Sequence, residues 1–531
     1  MHFKSLLVGF AALSLSVSAA AEEPVFTAEA FRSHVAFLGN DLLEGREAGT
    51  RGYDIAAHYV ATQFEGLGLR PGANGGWFQN IQFVRSSLAG TPRLTIGGRT
   101  FDQGSHILIR ASADTSALDL TAPAVFVGYG IDAPGIGFDD YAGLDVRGKV
   151  VVALSGYPAG TASDVGAHLS SGKARMAAAR GAVGMITIRT AGDIRTFPWR
   201  ALVGAAGRPS VSWVGADGRP FSSDGLRFGA TAEGDAATAL FQGARRSLEQ
   251  VMREAGRRGA RPRGFALSQD VRAERAEGTQ SRFESANVVA VLPGNDPALA
   301  NEYVLLMAHL DGLGVRARRE GDAEDADLIR NGAMDNATGV STLIEVARAM
   351  ADPANRPRRP ILIAAVTAEE IGLIGANYLV HNPIVDGRIV GVVNLDMPVL
   401  TYDFSDVIAF GAEHSTMGET VTRAATRMQV GVIPDPMPEQ GIFTRSDHYR
   451  FVQAGVPSVF LMTGFGGEGA ERFRHFLSTE YHSVNDDLNL PFNWDAGARF
   501  VRLNYLIARE IADAPAAPRW NADSPFAPAA E

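Results

Sequence analysis

The chain contains no cysteine. That absence excludes a disulfide framework, a thiolate nucleophile, a cysteine-ligated zinc site and a lipidation cysteine. A basic surplus is missing as well: 49 Lys and Arg stand against 59 Asp and Glu, for a net charge of −10. A general nucleic-acid binder would show the opposite balance, so no nucleic-acid partner is expected. Long hydrophobic runs are also lacking. Outside the N-terminus no segment approaches the ~18 uncharged apolar residues of a membrane-spanning helix, and no stable membrane insertion is expected. What the chain does have is 46% hydrophobic and 20% charged residues, a composition able to bury a large core. Its 531 residues exceed one ordinary domain and call for two or three packed units.

The opening MHFKSLLVGFAALSLSVSAAAEEP has one lysine, a short apolar run and then small residues. Ala19 and Ala21 fit a cleavage site after residue 21, which predicts a signal peptide over 1–21 and a periplasmic or secreted location; a retained anchor is the alternative. Residues 22–94 carry two stretches of helical periodicity, AEAFRSHVAFL and YDIAAHYVATQFEGL, joined by a glycine-rich turn. From 95 to 255 short β-branched runs are punctuated by Gly, Pro and Asp, predicting a mostly β module with one helix, SSGKARMAAARGA. Within it, FVGYGI followed by DDYAGLDVRGKVVVAL and KARMAAARGAVGMI resembles the protease-associated (PA) domain, a non-catalytic insert of several exopeptidase families. The arginine-rich stretch ARRSLEQVMREAGRRGARPRG has no interleaved aromatics and reads as a solvated helix face. Over 256–515, strands such as EYVLLMAHLDG and RPILIAAVTAEE alternate with amphipathic helices. This predicts an α/β fold with a mixed, largely parallel sheet covered by helices on both faces. The Pro/Ala-rich tail 516–531 is expected to be disordered.

In such sheets functional groups gather where strands end. EYVLLMAHLDG ends in His309 and Asp311, and the loop NGAMDNATG supplies Asp335. ILIAAVTAEE ends in the adjacent glutamates Glu369 and Glu370, GVVNLDMP ends in Asp396, and STEYHSVNDDL carries His482. Adjacent carboxylates at the end of a buried strand repel, and folding does not require them. Imidazoles mixed with carboxylates suit Zn²⁺ or a similar ion, whereas an all-oxygen set would suit Ca²⁺ or Mg²⁺. A pair of metals needs one bridging carboxylate, then a histidine and a carboxylate on either side. The inventory matches, and such a pair can activate water and clamp an amide.

His309-x-Asp311, GAMDNATG, AEEIGLIG, NLDM and YHSVNDD, in this order, resemble the zinc-dependent aminopeptidase family. That family includes bacterial leucyl aminopeptidase and aminopeptidase Y and, more distantly, glutamate carboxypeptidase and the transferrin receptor. The helical N-terminal segment and SDHYRFVQAGVPSVFL are similar to its PA-bearing bacterial members. The resemblance implies two zinc ions per chain, bridged by Asp335, with His309 and Asp396 on one and Glu370 and His482 on the other. It implies that Glu369 is the general base and that Asp311 orients His309 and fixes its tautomer. It also implies a cis peptide at Asp335–Asn336 and a peptide substrate with a free N-terminus.

Other residues read as structural. His448 in SDHYRF is left outside the ligand set, His475 and Asp487 flank His482 without an assigned role, and Asp486 fits either capping or function. GFGGEG lacks the strand–turn–helix context and lysine of a phosphate loop. The charged loop VRARREGDAEDADLIR reads as solvated surface that could wall the site. Met334 beside the bridging aspartate, and the lack of a proline after His482, depart from the family pattern and bear on substrate preference. The rivals are a carboxypeptidase gripping a substrate carboxylate through Arg445, a single-zinc glutaminyl cyclase, a dizinc exopeptidase with a dimerisation insert, and a non-catalytic binding protein that has lost ligands. Here the large insert precedes His309 and all five ligands remain.

Overall fold

The computed structural model describes residues 23–222 and 225–527; the signal peptide expected over 1–21 lies outside them. Its main unit is built on a ten-stranded sheet. At the centre, Ile361–Val366, Glu302–His309, Arg388–Leu395 and Ser458–Thr463 lie side by side and parallel. These strands are buried along nearly their whole length, which is why they read as continuous apolar runs. Alternate residues enter different cores. Val304, Leu306 and Ala308 face one layer, packed with the helices Ala28–Leu38, Arg51–Gly66, Thr338–Ala351 and Trp494–Asp513. Leu305 and Met307 face the other, beneath the helices Ile374–His381 and His448–Gln453.

The sheet is mixed rather than largely parallel. Thr279–Leu292 runs antiparallel to Ile361–Val366 and to Phe78–Ser87, and Asp406–Phe410 runs antiparallel to Ser458–Thr463. The first half of Thr279–Leu292 is exposed, and an antiparallel pairing tolerates one wet face where a parallel one does not.

A second, eight-stranded sheet with its own apolar core is inserted between the N-terminal helices and the central strands. Its strands run from Arg93–Ile96 to Phe265–Arg275, so it extends past residue 255. Phe265, Leu267, Val271 and Ala273 alternate inward on that last strand and fill the second core, not the first. In the opposite sense, Ser210–Trp213 leaves the insert and pairs with Phe78–Ser87 of the main sheet. The insert also holds more than one helix, including Ser163–Ser171, Trp199–Ala206, Gly234–Leu240 and Leu248–Ala255. The last of these lies in the arginine-rich stretch, burying only Val251 and Ala255 and pairing Glu249 with Arg253.

The helix Ser163–Ser171 docks the insert on the main unit. His168 Nδ1 lies 2.9 Å from the Tyr449 hydroxyl, and Asp164 pairs with His414. The tail expected to be disordered is packed here through residue 527. Trp520 Nε1 donates to the Gly455 carbonyl at 2.7 Å, and Phe526 is buried against the rings of His168, His414 and Phe443. Its two aromatics give a Pro/Ala-rich segment something to bury. No helix among the described residues is long and apolar enough to cross a membrane. Truncating a buried phenylalanine removes both transfer free energy and packing, so Phe526→Ala should destabilise the protein by about 3 kcal/mol. A lowered denaturation midpoint checks this; an unchanged one would mean that the tail contributes nothing to the docking.

Candidate metal centre

The C-terminal ends of the central parallel strands converge on one side of the sheet. His309 is the last residue of its strand, Glu369 and Glu370 follow Val366 within a tight turn, and Asp396 follows Leu395 directly. Asp335 reaches the same point from the turn Ala333–Ala337, which opens on Gly332 at a left-handed φ of 59°. The Asp335–Asn336 peptide is cis. Asn336 anchors this turn: its Nδ2 donates to the Leu395 carbonyl at 2.9 Å, and its Oδ1 accepts from Gly339 N at 3.0 Å and Met397 N at 3.1 Å. Gly339 is required for this approach, since a Cβ there would fall 2.3 Å from the Leu395 carbonyl oxygen.

Two groups of potential ligands share one carboxylate. His309 Nε2 lies 3.1 Å from Asp335 Oδ1 and 3.2 Å from Asp396 Oδ1. His482 Nε2 lies 3.4 Å from Asp335 Oδ2 and 3.2 Å from Glu370 Oε2. Within each group the ligand atoms all fall inside 4.8 Å. The structure thus brings together His309, Asp335, Glu370, Asp396 and His482, and Asp335 offers one oxygen to each side. Imidazole nitrogen with carboxylate oxygen is a donor set that fits zinc. Most of the site is closed from solvent, whereas the His482 side chain is 40% exposed and stands on the open side.

Two buried carboxylates hold the ligand turns from behind, and each receives two successive backbone N–H groups. Asp486 Oδ1 accepts from Met334 N at 2.7 Å and Oδ2 from Asp335 N at 3.0 Å. Asp311 Oδ1 accepts from Glu369 N at 3.0 Å and Oδ2 from Glu370 N at 3.2 Å. Asp311 also meets His309. Its carboxylate stands 3.9 Å from His309 Nδ1, which instead faces the Asp311 backbone carbonyl at 3.1 Å. A proton on Nδ1 donated to that carbonyl leaves Nε2 free to ligate. Asp396 is held by Ser446, whose hydroxyl donates to Oδ2 and accepts from Asn394 Nδ2 at 2.6 Å.

Sequence reasoning missed Asp447. It is fully buried, and among the described residues neither of its carboxylate oxygens has a hydrogen-bond partner. Burial raises its pKa well above the carboxylate range; His309 opposes this, while Asp311 and Asp396 add to it. Glu369 is raised likewise, by desolvation against the pull of His309 and with the repulsion of Asp447, Asp396 and Glu370. Desolvation and Asp335 raise Glu370, and desolvation carries Asp311 and Asp486 up to about 7. Burial works against a charged His482, yet Asp335 and Glu370 raise it to about 10. Burial alone pushes His448 down to about 3; it sits between the rings of Phe443 and Phe460, away from the ligands. His475 pairs with Glu480, and Asp487 caps its own turn through Asn489 N.

The cluster opens into a cavity of about 1000 Å³. Met397, Met437, Ile442 and Leu477 give it an apolar wall, and Phe197 reaches it from the insert. Arg445, Arg450 and Arg474 also line it, two more arginines than sequence reasoning identified. Tyr481, stacked on His482 with ring centroids 3.7 Å apart, receives a hydrogen bond from Arg445 Nη2 at 3.2 Å. Of the charged loop 315–330 only its last residue, Arg330, reaches the cluster, lining a small adjoining pocket with Asp335, Glu370 and His482, while Arg316 pairs with Asp322 away from it. The glycine-rich loop after Thr463 folds round Asp406.

A "Probable zinc metalloprotease" of Pyrenophora teres f. teres is 27% identical over 270 residues, covering 44% of this chain and 53% of its own. "Leupeptin-inactivating enzyme 1" of Streptomyces exfoliatus is 28% identical over 227 residues, covering 40% and 45%. The chain spans about half the length of the curated relatives it matches. An aminopeptidase from Aneurinibacillus sp. strain AM-1 shares the fold over 93% of this chain and 94% of its own, with a TM-score of 0.50 and 21% identity. Residues 287–507, the span that holds all five candidate ligands, match peptidase family M28: the chain carries a peptidase family M28 domain.

Proposed function

We propose that the protein is a zinc-dependent aminopeptidase that hydrolyses the peptide bond after a free N-terminal residue, with two zinc ions per chain. The reading rests on Asp335, whose two oxygens face two separate histidine–carboxylate groups. Zinc held there would supply Lewis acidity, polarising the scissile carbonyl and making a water easier to deprotonate. The chain's own part is proton transfer and orientation. Glu369, raised by desolvation and its acidic neighbours, takes a proton at its carboxylate from the attacking water and delivers it to the leaving amine nitrogen. Asp311 and Asp486 hold the Glu369–Glu370 and Asp335 turns so that these carboxylates keep their aim.

The acidic cluster favours a substrate ammonium over a carboxylate, and the apolar wall suits an apolar N-terminal side chain. A carboxypeptidase is the second reading, favoured by the three arginines lining the cavity. A PA-like identity for the insert is supported by the FVGYGI and GKVVVAL motifs. Export is supported by the leader-like composition of 1–21 and the lack of cysteine.

Replacing Glu369 by Gln should lower turnover by about 10²–10⁴-fold while zinc content stays at the wild-type level. Retained turnover removes Glu369 from the role of base. Peptides with a free N-terminus should be cleaved one residue at a time, and N-blocked peptides should be spared. Cleavage of N-blocked peptides from a free C-terminus would favour the carboxypeptidase. Zinc must also compete with protons. The metal-free His482 holds its proton up to about pH 10, so zinc binding should expel protons, and apparent affinity should rise as pH approaches that value. Calorimetry in buffers of different ionisation enthalpy measures the release; an identical heat in all buffers would contradict it.

A further inference from the structure

Arg46 is a fully buried cation that the ligand set does not explain. It lies in a tight turn where Glu44, Gly45 and Arg46 all adopt left-handed φ values of 50°, 68° and 52°. Among the described residues it forms no ion pair. Instead its guanidinium spreads over carbonyls on three segments. Nε donates to the Leu310 carbonyl at 2.9 Å, Nη1 to Asn331 at 2.6 Å and to Leu38, and Nη2 to Gly332 at 3.0 Å. Leu310 sits between His309 and Asp311; Asn331 and Gly332 open the turn that carries Asp335. The backbone of the Arg46 turn reinforces this, since the Gly45 carbonyl accepts from Gly314 N and the Arg46 carbonyl from Gly312 N, each at 3.1 Å. Only a planar fork with five donors can serve so many acceptors at once.

We propose that Arg46 is a positioning residue for the metal centre: by tying the His309 loop to the Asp335 turn, the N-terminal helical segment sets zinc affinity. This rests on the zinc reading given above. The arrangement also places a positive charge behind the acids, with Asp486, Asp311, Asp335 and Glu370 within its electrostatic reach.

The test is R46K against R359K. Arg359 is equally buried but pairs with Glu302 at the opposite, N-terminal end of the strands, so it controls for loss of a buried guanidinium. Zinc affinity is read by competition with a chromophoric chelator, and thermal unfolding is followed on the zinc-free proteins. R46K should weaken zinc binding by about 10–100-fold relative to R359K, the range seen when groups that orient metal ligands are removed. Wild-type affinity in R46K overturns the proposal even if its zinc-free form melts lower. If R46K fails to fold, G312A decides. A Cβ at Gly312 would lie 2.8 Å from the Gly45 carbonyl oxygen and push the loop off the turn with Arg46 intact. Weakened zinc binding supports the proposal, and wild-type affinity overturns it. A wild-type protein that binds no zinc removes the metal-centre reading and this proposal with it.

Discussion

Mutual repulsion among carboxylates withdrawn from water governs the architecture of the main unit. Asp311, Asp335, Asp396, Asp447 and Asp486 are buried, the Glu370 side chain is 4% exposed, and Glu369 stands beside them. Two like unit charges ~4 Å apart repel by roughly 4 kcal/mol at an effective dielectric of about 20. A cluster of this size therefore needs protons, cations or backbone N–H groups. All three routes are present. Asp311 and Asp486 each take two N–H groups, Arg46 places a guanidinium behind the site, and raised proton affinities mark the carboxyls left over. Zinc would displace protons from its own ligands and set positive charge beside the remaining carboxylates, turning a folding cost into binding strength.

The fold delivers the groups to that point by simple means. Four parallel strands end on one edge, and three of them deliver the groups: His309 ends one, Glu369 and Glu370 follow the second, and Asp396 follows the third. Asp335 and His482 come from connections that lie over the same edge, at the crevice where α/β sheets hold ligands. The insert and the tail contribute from outside. The helix Ser163–Ser171 rests on the segment around Tyr449, and Phe526 fills the joint, so the insert is held against the rim of the cavity.

His309, Glu370 and Asp396 were legible because each stands where an apolar strand stops, a local signal, whereas Asp335 and His482 lie in connections and were legible through GAMDNATG and YHSVNDD. Glu369 and Glu370 stand out because adjacent acids after ILIAAV have no folding rationale. What escaped depends on contacts between distant segments. Arg46 lies 264 positions from Leu310, and its role exists only once the N-terminal turn is docked. Asp447 sits beside His448, the more conspicuous residue, yet it is Asp447 that stands close to Glu369, while His448 packs in apolar surroundings. The sharing of strands between sheets was likewise hidden. Phe265–Arg275 and Ser210–Trp213 both look like ordinary strands, and their sheet is decided by pairing partners that composition does not encode. Asp311 shows the finer limit: its motif position suggested a histidine partner, and it faces His309 through its backbone carbonyl, but that its carboxylate also caps the glutamate turn was not legible.

The central claim is that Asp335 separates two metal positions. Diffraction from zinc-loaded crystals at wavelengths on either side of the zinc absorption edge tests it directly. The account predicts two anomalous peaks, one beside each oxygen of Asp335, with His309 and Asp396 on one and Glu370 and His482 on the other. A single peak at full zinc loading, or two peaks away from Asp335, would contradict it.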